Sequence, residues 1–203
     1  MGEVTGEQAD GQMAGGIGRL VKVEVLDAVH AMALADEVGA VYQAAFGAPP
    51  NSEGPEQFAH QQATYQTLLG RRGFRLAIAR RAERLVGFGY GAFLQPDTAW
   101  WDGMLEPLEP DFIAETGDRT FALIDMGVLP DARRQGIGRA LHDAVLSGCG
   151  ARRATLAVEP RLEANQRLYR SWGWQCAGRL TGAPGDIADA YDIYVRDLPV
   201  PRP

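Results

Sequence analysis

Residues 20–26, Leu-Val-Lys-Val-Glu-Val-Leu, alternate apolar and polar side chains around β-branched valines, the two-residue period of a strand with one buried face. The period then changes. Asp27 can cap a helix in which Val29, Met32, Ala33, Val38, Val41, Tyr42 and Phe46 recur near helical spacing, until Gly47 and Pro49-Pro50 end it. Pro55 suits a second helix start, with Phe58, Gln62, Tyr65 and Leu69 on one face and Gly70 at its end. Residues 74–80 and 84–94 are alternating apolar runs about the charged turn Arg80-Arg81-Ala82-Glu83-Arg84, which predicts a long antiparallel hairpin. Gly87, Gly89 and Gly91 in its second arm predict a bend or a close neighbour. Beyond a long connection or short helix at 95–118, the pattern predicts a strand (120–129), helix (137–148), strand (153–158), helix (163–172) and two strands (174–180 and 190–197). A β-α-β unit followed by α-β-β predicts an α/β (α+β) fold. Its sheet is mixed and mostly antiparallel, with six to seven strands and about four flanking helices.

A length of 203 residues accommodates one domain, expected over 19–198. Residues 1–18, glycine-rich and carrying Glu3, Glu7 and Asp10, read as a flexible arm rather than a targeting segment, so a cytoplasmic location is expected. No apolar run approaches the roughly 20 residues of a membrane helix. The net charge of −6 argues against a broad nucleic-acid surface and suits cationic or neutral partners. Cys149 and Cys176, the only cysteines, are too few for a zinc cluster or disulfide framework; both are expected as free thiols, with no bound metal.

The most informative stretch is Leu123-Ile124-Asp125-Met126-Gly127-Val128-Leu129-Pro130-Asp131-Ala132-Arg133-Arg134-Gln135-Gly136-Ile137-Gly138-Arg139, a strand running through a glycine-bearing loop into a helix. Such a loop leaves unpaired N–H groups at the positive end of the helix dipole and lets the backbone approach an anion such as pyrophosphate. Alone, the two glycines could equally serve only a tight turn. No Lys-Ser/Thr pair follows Gly138, which disfavours a nucleotide P-loop.

Arg133-x-x-Gly136-x-Gly138, preceded by Val128-x-Pro130, resembles the acetyl-CoA loop of the GNAT superfamily of N-acetyltransferases. Leu168-Tyr169-Arg170-Ser171-Trp172-Gly173-Trp174 is similar to that family's Leu-Tyr-x-x-x-Gly-Phe segment, with Trp174 in place of Phe. The two motifs span about residues 120–178; the remainder agrees in the order and type of its elements. The resemblance implies acetyl-CoA, or another acyl-CoA, as co-substrate. Main-chain amides from Arg134 through Gln135, Gly136, Ile137 and Gly138 to Arg139 would hold its pyrophosphate, with Arg133 opening the loop. It also implies a splay of the preceding strand, where the main chain at Met126 and Val128 meets the pantetheine arm. Tyr169 inherits the role of general acid; a core aromatic is the other reading. The family's cofactor-contacting Asn falls on Leu162 here, with Asn165 one turn later as the substitute.

Acyl transfer to an amine needs a neutral nucleophile, stabilisation of the oxyanion and a proton for the departing thiolate. Asp125 is the best-placed carboxylate for a base; charge pairing with substrate or a structural hydrogen bond are alternatives. The family's other base position falls on Ala157, with Glu159 two residues on, so base identity stays open. His142 is expected to pack or to lie on the surface rather than catalyse. Residues 95–118 place Trp100 and Trp101 among seven acids, Asp97, Asp102, Glu106, Glu109, Asp111, Glu115 and Asp118, without any Lys, Arg or His. Two indoles beside carboxylates predict recognition of a cationic acceptor, and a solvated loop is the alternative. The expected activity is N-acetyl transfer to a primary amine of a small molecule or peptide in a ternary complex, with a homodimer as the default assembly. A non-catalytic acyl-CoA-binding module and an interaction domain on the same fold are the competing readings.

Overall fold

A computed structural model of the chain describes residues 21–182 and 188–199. The arm expected at 1–18, Leu20 and the tail beyond Pro199 lie outside the described residues. The elements run β1 (Val21–Leu26), α1 (Ala28–Met32), α2 (Ala35–Phe46), α3 (Pro55–Leu69), β2 (Arg75–Arg81), β3 (Arg84–Phe93), α4 (Pro110–Ile113), β4 (Thr120–Val128), α5 (Ile137–Leu146), β5 (Arg153–Val158), α6 (Glu163–Ser171), β6 (Gln175–Thr181) and β7 (Ala190–Asp197). The strands form one sheet in the order β1-β2-β3-β4-β5-β7-β6. Every neighbouring pair is antiparallel except β4 with β5, which α5 joins by a crossover.

The first predicted helix is two helices. Asp27 caps α1, accepting from the His30 amide at 3.1 Å, but the chain leaves the helix at Ala33–Leu34 and restarts at Ala35. Val29 and Met32 are exposed, at 77% and 61%, whereas Ala31, Val38, Tyr42 and Ala45 are buried. Val29 lies about half a turn out of phase with Val38 on a continuous helix, so these apolar positions never formed one stripe.

Helices cover both sheet faces. On β3, Phe88 meets Tyr42 of α2 with ring centroids 6.4 Å apart, while at adjacent Gly87 a Cβ would come within 2.9 Å of Leu141 Cδ1 on α5. Successive residues of a strand point to opposite faces, so α2 and α5 lie on opposite sides. The predicted close neighbour within the glycine run is sharpest at Gly91, where a Cβ would stand 2.0 Å from the Ala122 carbonyl oxygen. A β-bulge lies at that point: Gly91 pairs with Leu123 and Tyr90 with Asp125, leaving Ile124 as the extra residue.

Residues 95–118 fold back over the sheet around a second apolar cluster that includes Leu94, Trp101, Ala122 and Ile193. Cys149 and Cys176 are free thiols. Among the described residues, no helix is long and apolar enough to cross a membrane, and no group of three or more His, Cys, Asp or Glu is placed to hold a metal ion.

Candidate active site

The site begins where two strands part. β4 and β5 pair only through Thr120, Phe121 and Ala122 with Arg153, Ala154 and Thr155, although β4 continues to Val128 and β5 to Val158. The β5-facing main chain of β4 beyond Ala122, including Met126 and Val128, therefore borders a wedge rather than a neighbouring strand.

The loop after β4 is shaped by its backbone. Arg133 donates from Nε to the Val128 carbonyl at 3.1 Å and from Nη2 to the Ala45 carbonyl at 2.7 Å, fastening the loop to β4 and α2. Arg134 (φ 59°) and Gly136 (φ 79°) are left-handed, and Gly136 is the N-cap of α5. A Cβ at Gly136 would meet nothing within 4 Å, so glycine serves the backbone conformation there rather than close packing. No side chain caps α5 and its first turn has no acid, so the amides of Ile137, Gly138 and Arg139 remain a positive, donor-rich end.

The neighbouring side chains are otherwise engaged. Gln135 accepts from Arg81 at 2.6 Å, Arg139 pairs with Asp143 at 2.7 Å and lies 5.5 Å over the Trp172 ring, and Ile137 is buried. What this loop offers an anion is main chain, and that donor set fits a pyrophosphate. Arg133 acts as the pin of the loop. His142 is buried, with Nδ1 at 2.8 Å from Asp143 and Nε2 accepting from Trp174 Nε1 at 2.9 Å, a packing role.

A cavity of about 770 Å³ opens beside the wedge, and Asp125, Met126, Asn165 and Tyr169 all line it. Leu162 and Asn165 both border this space. Asp125 accepts a hydrogen bond from the Tyr90 hydroxyl, whose oxygen accepts in turn from Gln61 Nε2 at 3.2 Å. Burial is the main force on the Asp125 carboxyl and pushes its pKa up to about 6; the Tyr90 hydrogen bond opposes the rise and the charge of Glu53 adds to it. Burial, with the charge of Asp125, pushes Tyr169 up to about 12, so its hydroxyl keeps its proton at neutral pH.

Two further carboxylates line the cavity, Glu53, which was not singled out from the sequence, and Glu159, which was. Glu53, between α2 and α3, accepts from the Tyr42 hydroxyl at 2.5 Å, and burial raises its pKa. Glu159 also lines the cavity but is held by Arg161 through contacts of 2.5 Å and 3.2 Å. Tyr42 read as one apolar residue among many on a helix face; a tyrosine at a core position needs a partner for its hydroxyl, and that signal could have drawn attention to Tyr42 and Tyr90.

The tryptophan pair separates. Trp100 borders the cavity and donates from Nε1 to Thr155 Oγ1 on β5 at 3.0 Å. Trp101, expected beside it as an acceptor contact, faces the interior. It is 6% exposed, donates to Glu115 at 3.1 Å and stacks 5.0 Å from the Arg153 guanidinium. The acidic segment is correspondingly only partly solvated: Glu115 is buried and accepts from Arg153 Nη2 at 2.9 Å and Thr120 Oγ1 at 2.8 Å.

The parted strands, the main-chain anion cradle and a cavity carrying a carboxylate and a phenol are the features of the site. The model of the Acetyltransferase (GNAT) family matches residues 37–174, well over half of the chain, and the protein belongs to that family. Its fold is similar to that of the ribosomal-protein-S18-alanine N-acetyltransferase from Escherichia coli, with 17% identity over 88% of this chain and 94% of that one, TM-score 0.58. NAA60 from Arabidopsis thaliana, solved with a bisubstrate analogue, is 18% identical over 88% of this chain and 98% of its own, TM-score 0.60. A phosphinothricin acetyltransferase from Sinorhizobium meliloti, solved with AcCoA, is 17% identical over 88% of each chain, TM-score 0.55. Identities at this level establish a shared fold. A search among curated proteins finds no match to the chain.

Proposed function

We propose that the protein transfers an acetyl group from acetyl-CoA to a primary amine by direct attack within a ternary complex. The observation that carries this reading is the placement of Asp125 and Tyr169 on one cavity at the mouth of the β4–β5 wedge. Bound with its pyrophosphate on the α5 amides and its pantetheine arm along β4, acetyl-CoA supplies an acetyl group activated as a thioester. Asp125 takes a proton from the incoming ammonium, a task suited to a carboxyl that titrates near 6 and is mostly ionised at neutral pH. The freed amine forms the N–C bond while the C–S bond breaks. Tyr169 gives its proton to the departing sulfur and regains one from the product nitrogen through solvent.

The cavity favours a cationic acceptor. Glu53, Asp102 and Asp125 line it, no Lys or Arg is among its described lining residues, and Trp100 offers an aromatic wall for cation–π attraction. The test is thiol release from acetyl-CoA in the presence of a monoamine, a diamine and a basic dipeptide. Amine-dependent release that Tyr169→Phe and Asp125→Asn both suppress is expected. Binding of acetyl-CoA without release to any of the amines would overturn the assignment of an amine acceptor.

A further inference from the structure

Resting on the reading of Asp125 as the base, we infer that Tyr90 and Gln61 are positioning residues that fix its orientation and basicity. The hydrogen-bond chain Gln61–Tyr90–Asp125 joins three elements, α3, β3 and β4.

The bulge at Ile124 creates this arrangement. Without the extra residue, the pairing of Gly91 with Leu123 would carry Tyr90 opposite Ile124; with it, Tyr90 and Asp125 are direct cross-strand partners on the same face. Tyr90 is fully buried, and its ring is held by Tyr65 at 5.0 Å edge to face and by Phe88 at 5.9 Å. Gln61, 4% exposed on α3, donates to the phenol oxygen and so directs the phenol proton toward Asp125 Oδ2. Burial and the charge of Asp125 push the Tyr90 phenol well above its ordinary pKa, which keeps it the donor throughout the working pH range. One carboxylate oxygen is thereby tied down. The carboxylate is held against rotation at the cavity wall, and its ionised form is favoured against the cost of burial.

The experiment is a carboxyl ¹³C titration of Asp125 by NMR on the free protein, which needs no acceptor. Tyr90→Phe preserves the ring and deletes the hydroxyl that donates to Asp125 and accepts from Gln61, and Gln61→Leu weakens that donor. The other titratable groups acting with Asp125 are Glu53 from the α2–α3 turn, Tyr42 from α2 and Tyr169 from α6, and all are retained in both variants. Tyr90→Phe is expected to raise the Asp125 midpoint by about one pH unit, and Gln61→Leu to raise it by less. The acidic limb of kcat/KM for the amine that releases thiol fastest should move by the same amount; a merely structural role would lower activity at every pH without moving that limb. A midpoint within about 0.2 of wild type in Tyr90→Phe overturns the inference. A midpoint that moves while the kinetic limb stays fixed instead overturns the base reading on which the inference rests.

Discussion

The two ends of β4 use buried charge in opposite ways. At its start, paired with β5, the Arg153 guanidinium meets Glu115 Oε1 at 2.9 Å and Thr120 at 2.7 Å and lies 5.0 Å from the Trp101 ring and 4.5 Å from that of Phe112, so opposite charges are paired and packed, with Glu115 Oε2 lacking a hydrogen-bond partner among the described residues. At its open end, Asp125 has a phenol for a partner and a cavity in front of it. The first arrangement holds residues 95–118 against the sheet. The second leaves a carboxylate whose ionisation costs stability, as the proposed base role requires.

The largest effect that separates these ends is expected from Asp125→Asn. It should lower kcat/KM by about 10²–10⁴. The sign of its effect on stability is opposite. The carboxyl titrates near 6 in the folded protein, above its ordinary value, so wild-type stability is greatest when the group is protonated at low pH and falls as pH rises through about 6. The variant should therefore melt higher than wild type at pH 8 and lose that advantage near pH 4. A variant that stays active, or that melts lower at pH 8, would break the comparison.

At the closed end, Arg153→Met should cost about 3–5 kcal/mol in urea unfolding, because it strands the Glu115 carboxylate in the interior. Adding Glu115→Leu should recover most of the loss, and a double variant no better than the single would show that the pair does not act as a unit.

The adjacent tryptophans sharpen the contrast within two residues. Trp101→Ala should destabilise the fold by about 3–5 kcal/mol. Trp100→Ala should mainly raise the KM of the acceptor with little change in that of acetyl-CoA, measured by initial rates; equal rises in both would remove Trp100 from the acceptor site. The smallest effect is expected from Glu159→Gln. Its carboxylate is already held by the partly exposed Arg161, so stability should change by less than about 1 kcal/mol and kcat/KM only a few-fold.

The difference between the two ends also marks what the sequence could reveal. The strand, loop and helix from Thr120 to Leu146 are local in the chain, and glycine placement and helix-start chemistry are read from neighbouring residues; all seven strands were legible for the same reason. The break in the first helix was not, because an exposed Val29 and a buried Val38 look alike until the phase is followed through the turn. The Asp125 side of the cavity was less legible still. Glu53, Gln61 and Tyr90 come from separate elements, and a one-residue bulge decides which side chain of β4 faces Tyr90. Trp100 and Trp101 were read together as a recognition pair, yet residues next to each other in an irregular segment can face opposite ways, and Arg153, distant in sequence, captures one of them.

We propose that the open end of β4 and the amides of α5 together bind acetyl-CoA. This binding is tested most directly by the shift in thermal midpoint on adding acetyl-CoA to the wild type and to Gly136→Asp. A ligand at 100 times its Kd stabilises the folded state by about 2.7 kcal/mol, a clear rise in midpoint. That rise is expected in the wild type and its loss in the variant, where an acidic side chain would stand at a left-handed N-cap beside the proposed phosphate cradle. A wild-type midpoint unmoved by millimolar acetyl-CoA would contradict the proposal.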